Sequence, residues 1–558
     1  MSLQSQTIVF RDRLTALFPD AQGDPRLALL LQVTLGLAVF LLVEPLAFAC
    51  GHLPAAVYDR PVIVLGALKH AAPLTMLLSS VVAVTVFRRR LRWQAMELGT
   101  MLRWLALANC VALAWAYSTY PYNYWLDRSH DLDRFLLFVL PWLVLWHPGF
   151  LGVFLAHAHL MAGQFNEPLQ YSWTDKLLIY EVLLLLFVFV WLTLATRRGL
   201  LPFVAAALCL VALYYAVPAG GKLALGWLAR NDQANIVLAA WHQNGWLDGL
   251  GPLWRSRVVA LVAWTAPLLK LATLVLEIGV VIMLSHRRVA VGLLLGCAAM
   301  HVGILLTTGI FFWKWIVLDA SLAAVVWWLP AGDARRLFGP VAAAVGVGIV
   351  AILLVTHRRP VVLAWYDSPM AFQFRIEAVG EGGTTYEVPP ALLAPYDLPF
   401  AQGRFYYLTD IPMLVDCLGS TPRWDMVQAL EAAGTAEDLA AVRGVFGSTR
   451  TDAAGAERFE ELLRRYFRHR QRPRATSWMS RLPAPPQHIW TAPHQGEGQV
   501  TYQGQEAIQG VRVRLREALF GDRELHLVRD EVIRVFPLGP SVSDAREDEF
   551  RTSVPIHQ

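Results

Sequence analysis

The sequence predicts an α-helical polytopic membrane protein, with about nine or ten transmembrane helices, followed by a C-terminal α+β soluble domain. Three observations lead there. Of the 558 residues, 56% are hydrophobic and only 16% charged, against roughly a quarter charged in soluble chains, and the mean hydropathy is +0.43. The apolar residues fall in runs of about 20, the length that crosses a bilayer as a helix. After about Pro360 the runs stop, and charge, Gly and Pro rise. This composition excludes a water-soluble enzyme and a disordered scaffold. The net charge is only +5 and no basic-aromatic patch occurs, which argues against nucleic acid as a partner.

The segment Met1–Arg26 is too polar and too long for the charged region of a signal peptide, and no small-residue cleavage site follows the first run. It is expected to be a cytoplasmic N-terminal segment, with Leu27–Ala49 kept as the first span. The helical domain is expected over 27–356. Its spans, after the first at Leu27–Cys50, are Val62–Phe87, Met101–Tyr117, Phe135–Met161, Leu177–Ala195, Leu200–Ala216, Val258–Leu284, Val289–Phe311, Ile316–Leu329 and Pro340–Thr356. His147-Pro148-Gly149 interrupts Phe135–Met161 like a tight turn, so that stretch is one kinked span or two short ones.

Basic residues gather on the cytoplasmic side of membrane proteins. If the His147-Pro148-Gly149 turn splits its stretch, the clusters at Arg88–Arg90, Arg197-Arg198, Arg287-Arg288 and Arg335-Arg336 all share the side of the N-terminus. The loops Ser118–Arg134 and Lys222–Arg257 then face outward, as does the soluble domain, 360–558. His357-Arg358-Arg359 is the exception to the rule. In the soluble domain, strands are expected at Phe372–Ala378, Arg404–Leu408 and Val532–Phe536. Amphipathic helices are expected at Trp424–Phe446 and Ala456–His469, with a Pro- and Arg-rich loop near Arg470–Gln487. The five cysteines show neither a disulfide framework nor a metal spacing.

Ionisable residues inside apolar runs are costly and usually functional. Lys222 closes the run Leu200–Ala216, beside Tyr214-Tyr215 and five residues before Trp227. Burial in an apolar pocket makes a Lys lose its proton more easily, which suits a general base. The plain alternative is a Lys snorkelling to the headgroups. His130, at the outer mouth of the span that starts at Phe135, is placed to orient or stabilise a substrate anion, or is a solvated loop residue. Glu277 and His301 lie in apolar surroundings, His301 as a candidate interhelical hydrogen-bond partner. Lys314 and Asp319 are expected to pair across a helix end. Glu181 and Asp175 are expected as helix N-terminal acids. His157 and His159, two apart, fall on different helix faces and do not suggest a metal site. No metal is expected.

At Lys222 a family resemblance emerges. Ala219-Gly220-Gly221-Lys222-Leu223-x-x-x-Trp227 resembles the Ala-Gly…Lys-Leu-x-x-x-Trp segment of the vitamin K-dependent gamma-carboxylase and HTTM (horizontally transferred transmembrane) domain family. His130, followed by Leu136-Leu137-Phe138, resembles that family's active-site His and its span. His301 with Gly303-Ile304 and Gly309-Ile310-Phe311-Phe312 resembles its His-x-Gly-Ile…Gly-Ile-x-Phe segment, with Glu277 at the acidic position upstream. The resemblance covers about residues 25–330, in the same order. Gly221 stands where the carboxylase has a second Lys, Ser129 where it has Asn, and the region after Pro360 does not resemble its peptide-binding portion.

The resemblance implies a lyase and quinol monooxygenase chemistry. A Lys base deprotonates a reduced vitamin K-type quinone, which reacts with O2 and goes to the epoxide. The strong base so formed removes a proton from a glutamyl side chain, and the carbanion takes up CO2. Lys222 is then the base and His130 the anion stabiliser, with Trp227, His301, Glu277 and Tyr215 around the quinol, and no metal. The bilayer delivers the lipophilic quinol, and a polypeptide substrate is met at the outer face. The competing reading is a non-enzymatic HTTM membrane protein, a lipid- or quinone-binding sensor or partner-binding module. A secondary transporter fits less well, since no matched pair of Gly/Pro-broken spans occurs in two halves.

Overall fold

The computed structural model describes residues 25–120, 125, 128–166, 169, 176–196, 199–230, 233–357, 366–471, 478–492, 500–521 and 524–538. The helical part comprises α1 (Pro25–Ala49), α2 (Ala71–Thr85), α3 (Gly99–Thr119), α4 (Asp131–Trp146), α5 (Leu151–Gly163), α6 (Leu177–Thr196) and α7 (Leu201–Ala224). It continues with α8 (Gln233–Asn244), α9 (Gly251–Gly279), α10 (Arg287–Thr308), α11 (Trp313–Trp327), α12 (Ala331–Leu337) and α13 (Pro340–Thr356). Among the described residues, six helices are long and apolar enough to cross a membrane: Ala28–Ala49, Gly99–Thr119, Leu177–Leu194, Leu201–Ala224, Asp248–Ser285 and Arg287–Thr308.

Local chemistry accounts for the difference from nine or ten. The run Val62–Phe87 breaks into a short helix, Ile63–Ala67, and α2. The run Phe135–Met161 breaks where expected: Pro148 starts a 3-10 turn, and His147 Nδ1 accepts from the Gly149 N–H at 3.0 Å. Helices α11 and α12 meet at 113°. The shorter apolar helices are Ala71–Thr85, Pro148–Gly163 and Pro340–Thr356.

Helix α7 is the axis of the bundle. It has 89% of its apolar window buried and packs against α1, α6, α9 and α13. An apolar helix surrounded by other helices needs no amphipathic stripe, and α7 is buried on every side from Leu201 to Tyr215. Helices α9 and α10 instead expose Trp264, Leu268, Leu271, Val275 and Leu306 along an outward apolar surface.

The C-terminal part is built on a five-stranded sheet ordered β3-β2-β1-β4-β5, with β1 Met370–Gly380, β2 Thr385–Val388, β3 Val500–Thr501, β4 Ile508–Gly521 and β5 Glu524–Pro537. The central pair is antiparallel, with Phe374 opposite Leu515. The stretch expected as one helix over Trp424–Phe446 is two, α14 (Trp424–Ala432) and α15 (Ala436–Phe446), because Thr435 and Asp438 form a capping box that starts the second. Helix α16 (Ala453–Gln471) buries Phe459, Leu462, Leu463, Tyr466 and Phe467, the spacing of one helix face. Arg404–Leu408 is not a strand; Tyr406–Leu408 forms a 3-10 turn. The loop near Arg470–Gln487 falls partly outside the described residues.

This domain docks on the end of the bundle where α3, α7 and α10 finish and α11 begins. The Trp115 and Trp313 indoles donate to the carbonyls of Pro483 and Pro486 at 2.7 and 3.0 Å. Phe311 N–H donates to the His488 carbonyl at 2.7 Å, and Trp490 N–H to the Gly309 carbonyl at 2.8 Å. Gly309, at φ 72, ends α10 in the left-handed conformation that Gly adopts without strain.

Candidate functional site

Two polar clusters lie along one face of α7. Tyr215 and Lys222 are seven residues apart, two turns, so they project the same way about 10 Å apart along the axis. Lys222, in the last turn, also suits the negative end of the helix dipole.

The Lys222 Nζ donates to both carboxylate oxygens of Glu277 on α9, at 2.6 and 2.8 Å. The two side chains are only 14% and 6% exposed. After Gly226, at φ 63, the chain turns back, and the Trp227 ring comes to 5.7 Å from the Lys222 ammonium, within cation–π reach. Ala219, Trp227 and Leu274 make a small apolar cluster beside the pair. Gly220 faces open space, and Leu223 and Leu228 are exposed, so the pair lies just beneath an outward apolar surface.

The second cluster joins three helices. The Tyr215 hydroxyl donates to Asp319 Oδ2 of α11 at 2.6 Å and lies 2.8 Å from His301 Nε2 of α10. A phenol has one hydrogen to donate, so Tyr215 accepts from the Nε2–H of His301, which sets the imidazole tautomer. Phe312 and Trp315 enclose that ring at 4.6 and 5.5 Å. Phe312 in turn meets His488 of the C-terminal domain at 4.8 Å. Lys222 is within electrostatic reach of His301, and Cys297 is within reach of both Tyr215 and Glu277, so the two clusters adjoin.

Glu277, His301, Tyr215, Trp227 and Lys222 are therefore brought together. His130 belongs to a different group. It caps α4 in the left-handed conformation, at φ 48, 3.9 Å from Asp133 and beside Pro61. Helix α4 packs on α3 and α5 rather than on α7. The polar partner of Lys222 is Glu277, and His130 does not share that pair. Burial pushes the His130 imidazole down to about 4, with the Asp133 charge opposing. The expected Lys314–Asp319 pair does not form: Asp319 takes the Tyr215 hydroxyl, and Lys314 lies over Trp313 at 4.6 Å. His157 Nε2 bonds the Asp133 carbonyl at 2.7 Å, and His159 lies against Tyr180 at 4.0 Å. Asp175 lies outside the described residues. Glu181 is not at a helix N-terminus facing solvent; it is 1% exposed and faces His357.

No protein-family model matches the chain, and no curated protein or solved structure matches it either.

Proposed function

We propose that the chain is a multi-pass membrane enzyme of the vitamin K-dependent gamma-carboxylase and HTTM type, with Lys222 as its base. The observation that carries this reading is the Lys222–Glu277 pair beneath the Trp227 ring, at an end of the central helix open to an outward apolar surface. In this reading the shorter apolar helices complete nine or ten crossings, and the C-terminal domain lies on the extracytoplasmic side.

The residues fit a flat, lipophilic ring. The surface beside Gly220 and Leu223 is apolar and open, the buried Trp227 ring lies against the Lys222 ammonium, and Lys222 supplies a hydrogen-bond donor and base. A reduced naphthoquinone, when bound, supplies with O2 a base strong enough to abstract a proton from a carbon acid such as a glutamyl side chain, with CO2 as the second co-substrate.

The chain's own part is proton handling. Glu277 accepts a proton from Lys222, leaving a neutral amine, and the amine then accepts one from the quinol hydroxyl. A short, buried ammonium–carboxylate pair suits this exchange, because moving one proton neutralises both groups in a low-dielectric site. The His301–Tyr215–Asp319 network holds a second set of polar atoms fixed one cluster deeper, and the aromatic rings around it exclude water. Epoxide formation from a reduced naphthoquinone by the purified protein tests the proposal.

One observation favours a second reading. The Lys222 ammonium already has a two-pronged carboxylate partner, as a purely structural ion pair would. Under that reading the chain is a non-enzymatic HTTM protein that binds lipid or quinone, or a protein partner.

A further inference from the structure

Beside the central helix three other ionisable residues converge. Glu44 comes from α1, Glu181 from α6, and His357 from the residue after α13. All three are buried, at 8%, 1% and 4% exposure. The imidazole stands between the carboxylates: Nδ1 is 3.7 Å from Glu44 Oε2, and Nε2 is 3.5 Å from Glu181 Oε2. One atom from each residue can be chosen so that all three lie within 4.8 Å of one another.

These separations are too long for hydrogen bonds. Only one ring nitrogen can face an ion, so one of these separations is a ligand–ligand distance, close to the roughly 3.4 Å around a tetrahedral ion with bonds of about 2.1 Å, and one atom from each of the three residues fits within 4.8 Å of the others. Two carboxylates this close repel in a low-dielectric interior, and an ion between them turns that repulsion into attraction. Four packed helices, α1, α6, α7 and α13, fix the arrangement, which is the rigid support a coordination site needs. A separate observation points into the same space. Tyr214, on α7, is 4% exposed, and its hydroxyl makes no well-formed hydrogen bond while lying beside Glu181 and within electrostatic reach of Glu44. Tyr214 and Tyr215 are sequence neighbours that project about 100° apart on α7, one towards each cluster, with Trp315 against both rings at 5.8 and 5.5 Å.

We propose that Glu44, Glu181 and His357 bind one divalent first-row transition-metal ion. One imidazole nitrogen and one oxygen from each carboxylate are the ligands, and the remaining position faces the Tyr214 hydroxyl. Mixed imidazole and carboxylate ligands suit Zn(II), Fe(II) or Mn(II) rather than a soft ion. This site is distinct from the Lys222 cluster and does not depend on the quinol reading.

The test is a Co(II) titration of the full-length protein in detergent, after chelator treatment and dialysis, followed by competition with Zn(II). One equivalent of Co(II) is expected to bind with the visible absorption of a low-symmetry nitrogen and oxygen centre, and Zn(II) to displace it. Glu181→Gln and His357→Gln are each expected to weaken binding by at least about tenfold. Monodisperse wild-type protein that takes up no Co(II), or folded variants that bind it as tightly as wild type, overturn the site. Should a variant fail to fold, Glu44→Gln replaces it, and the wild-type titration still decides.

Discussion

Lys222 on α7 and Glu277 on α9 form a two-pronged ion pair, with Nζ 2.6 and 2.8 Å from the two carboxylate oxygens. It joins the central helix to α9, which exposes Trp264, Leu268 and Leu271 outward. Removing one partner of a buried pair leaves the other charge without compensation, whereas replacing both by apolar residues is often neutral. Lys222→Ala is therefore expected to lower stability by about 3 kcal/mol, and the double variant Lys222→Met/Glu277→Leu to recover most of that loss. Thermal unfolding of the three proteins in one detergent checks this. Equal stability for wild type and Lys222→Ala contradicts a buried pair.

Tyr215 holds two partners at once. Tyr215→Phe leaves Asp319 and His301 without its hydroxyl and is expected to cost about 2 kcal/mol. Asp319→Asn keeps an acceptor for the hydroxyl and is expected to cost less. Chemical or thermal denaturation ranks the two, and the reverse order contradicts the network.

His130 titrates down to about 4 in the fold because it is buried, against an ordinary value near 6.5. The unfolded chain thus binds a proton that the folded chain refuses. Stability must fall as pH drops from about 6.5 towards 4, by up to about 3 kcal/mol from this residue. His130→Asn, which tolerates a φ of 48, is expected to flatten that pH dependence. Its quinol turnover is expected to track its folded fraction, since His130 is not part of the Lys222 group. A loss of turnover without loss of fold gives His130 a chemical role instead.

The indole of Trp313 fastens the C-terminal domain through the Pro486 carbonyl. Trp313→Phe keeps the ring and removes the donor, so about 1 kcal/mol of docking is lost. Hydrogen exchange is expected to rise about fivefold at Phe311 and Trp490, whose amides cross the interface, and to stay unchanged in β4. Unchanged exchange at Phe311 shows that the indole bond does not hold the interface.

Much of this was legible in the sequence, because hydrophobic runs report helices directly. The His147-Pro148-Gly149 break was visible for the same reason, Pro148 being unable to continue a helix. The span count was less legible: Val62–Phe87 is apolar except around Lys69-His70, and the chain breaks there, between Ile63–Ala67 and the helix that starts at Ala71. Strand β4 carries its own signal, the alternation Val511-Arg512-Val513-Arg514-Leu515-Arg516, although it is not among the expected strands. Around Lys222, the meeting with Glu277 depends on how α7 packs against α9, which no local pattern encodes. Glu44 in an apolar run is a detectable anomaly; its convergence with Glu181 and His357 across three helices is not.

The most direct test of the central claim compares wild type with Lys222→Arg for epoxide formation from a reduced naphthoquinone in detergent. Arg keeps the positive charge and can pair with Glu277, but it does not give up its proton and cannot serve as a base. The account predicts epoxide from wild type and a loss of at least about 100-fold in a folded Lys222→Arg protein. Near wild-type epoxide from Lys222→Arg, or none from folded wild type across several naphthoquinols, contradicts it.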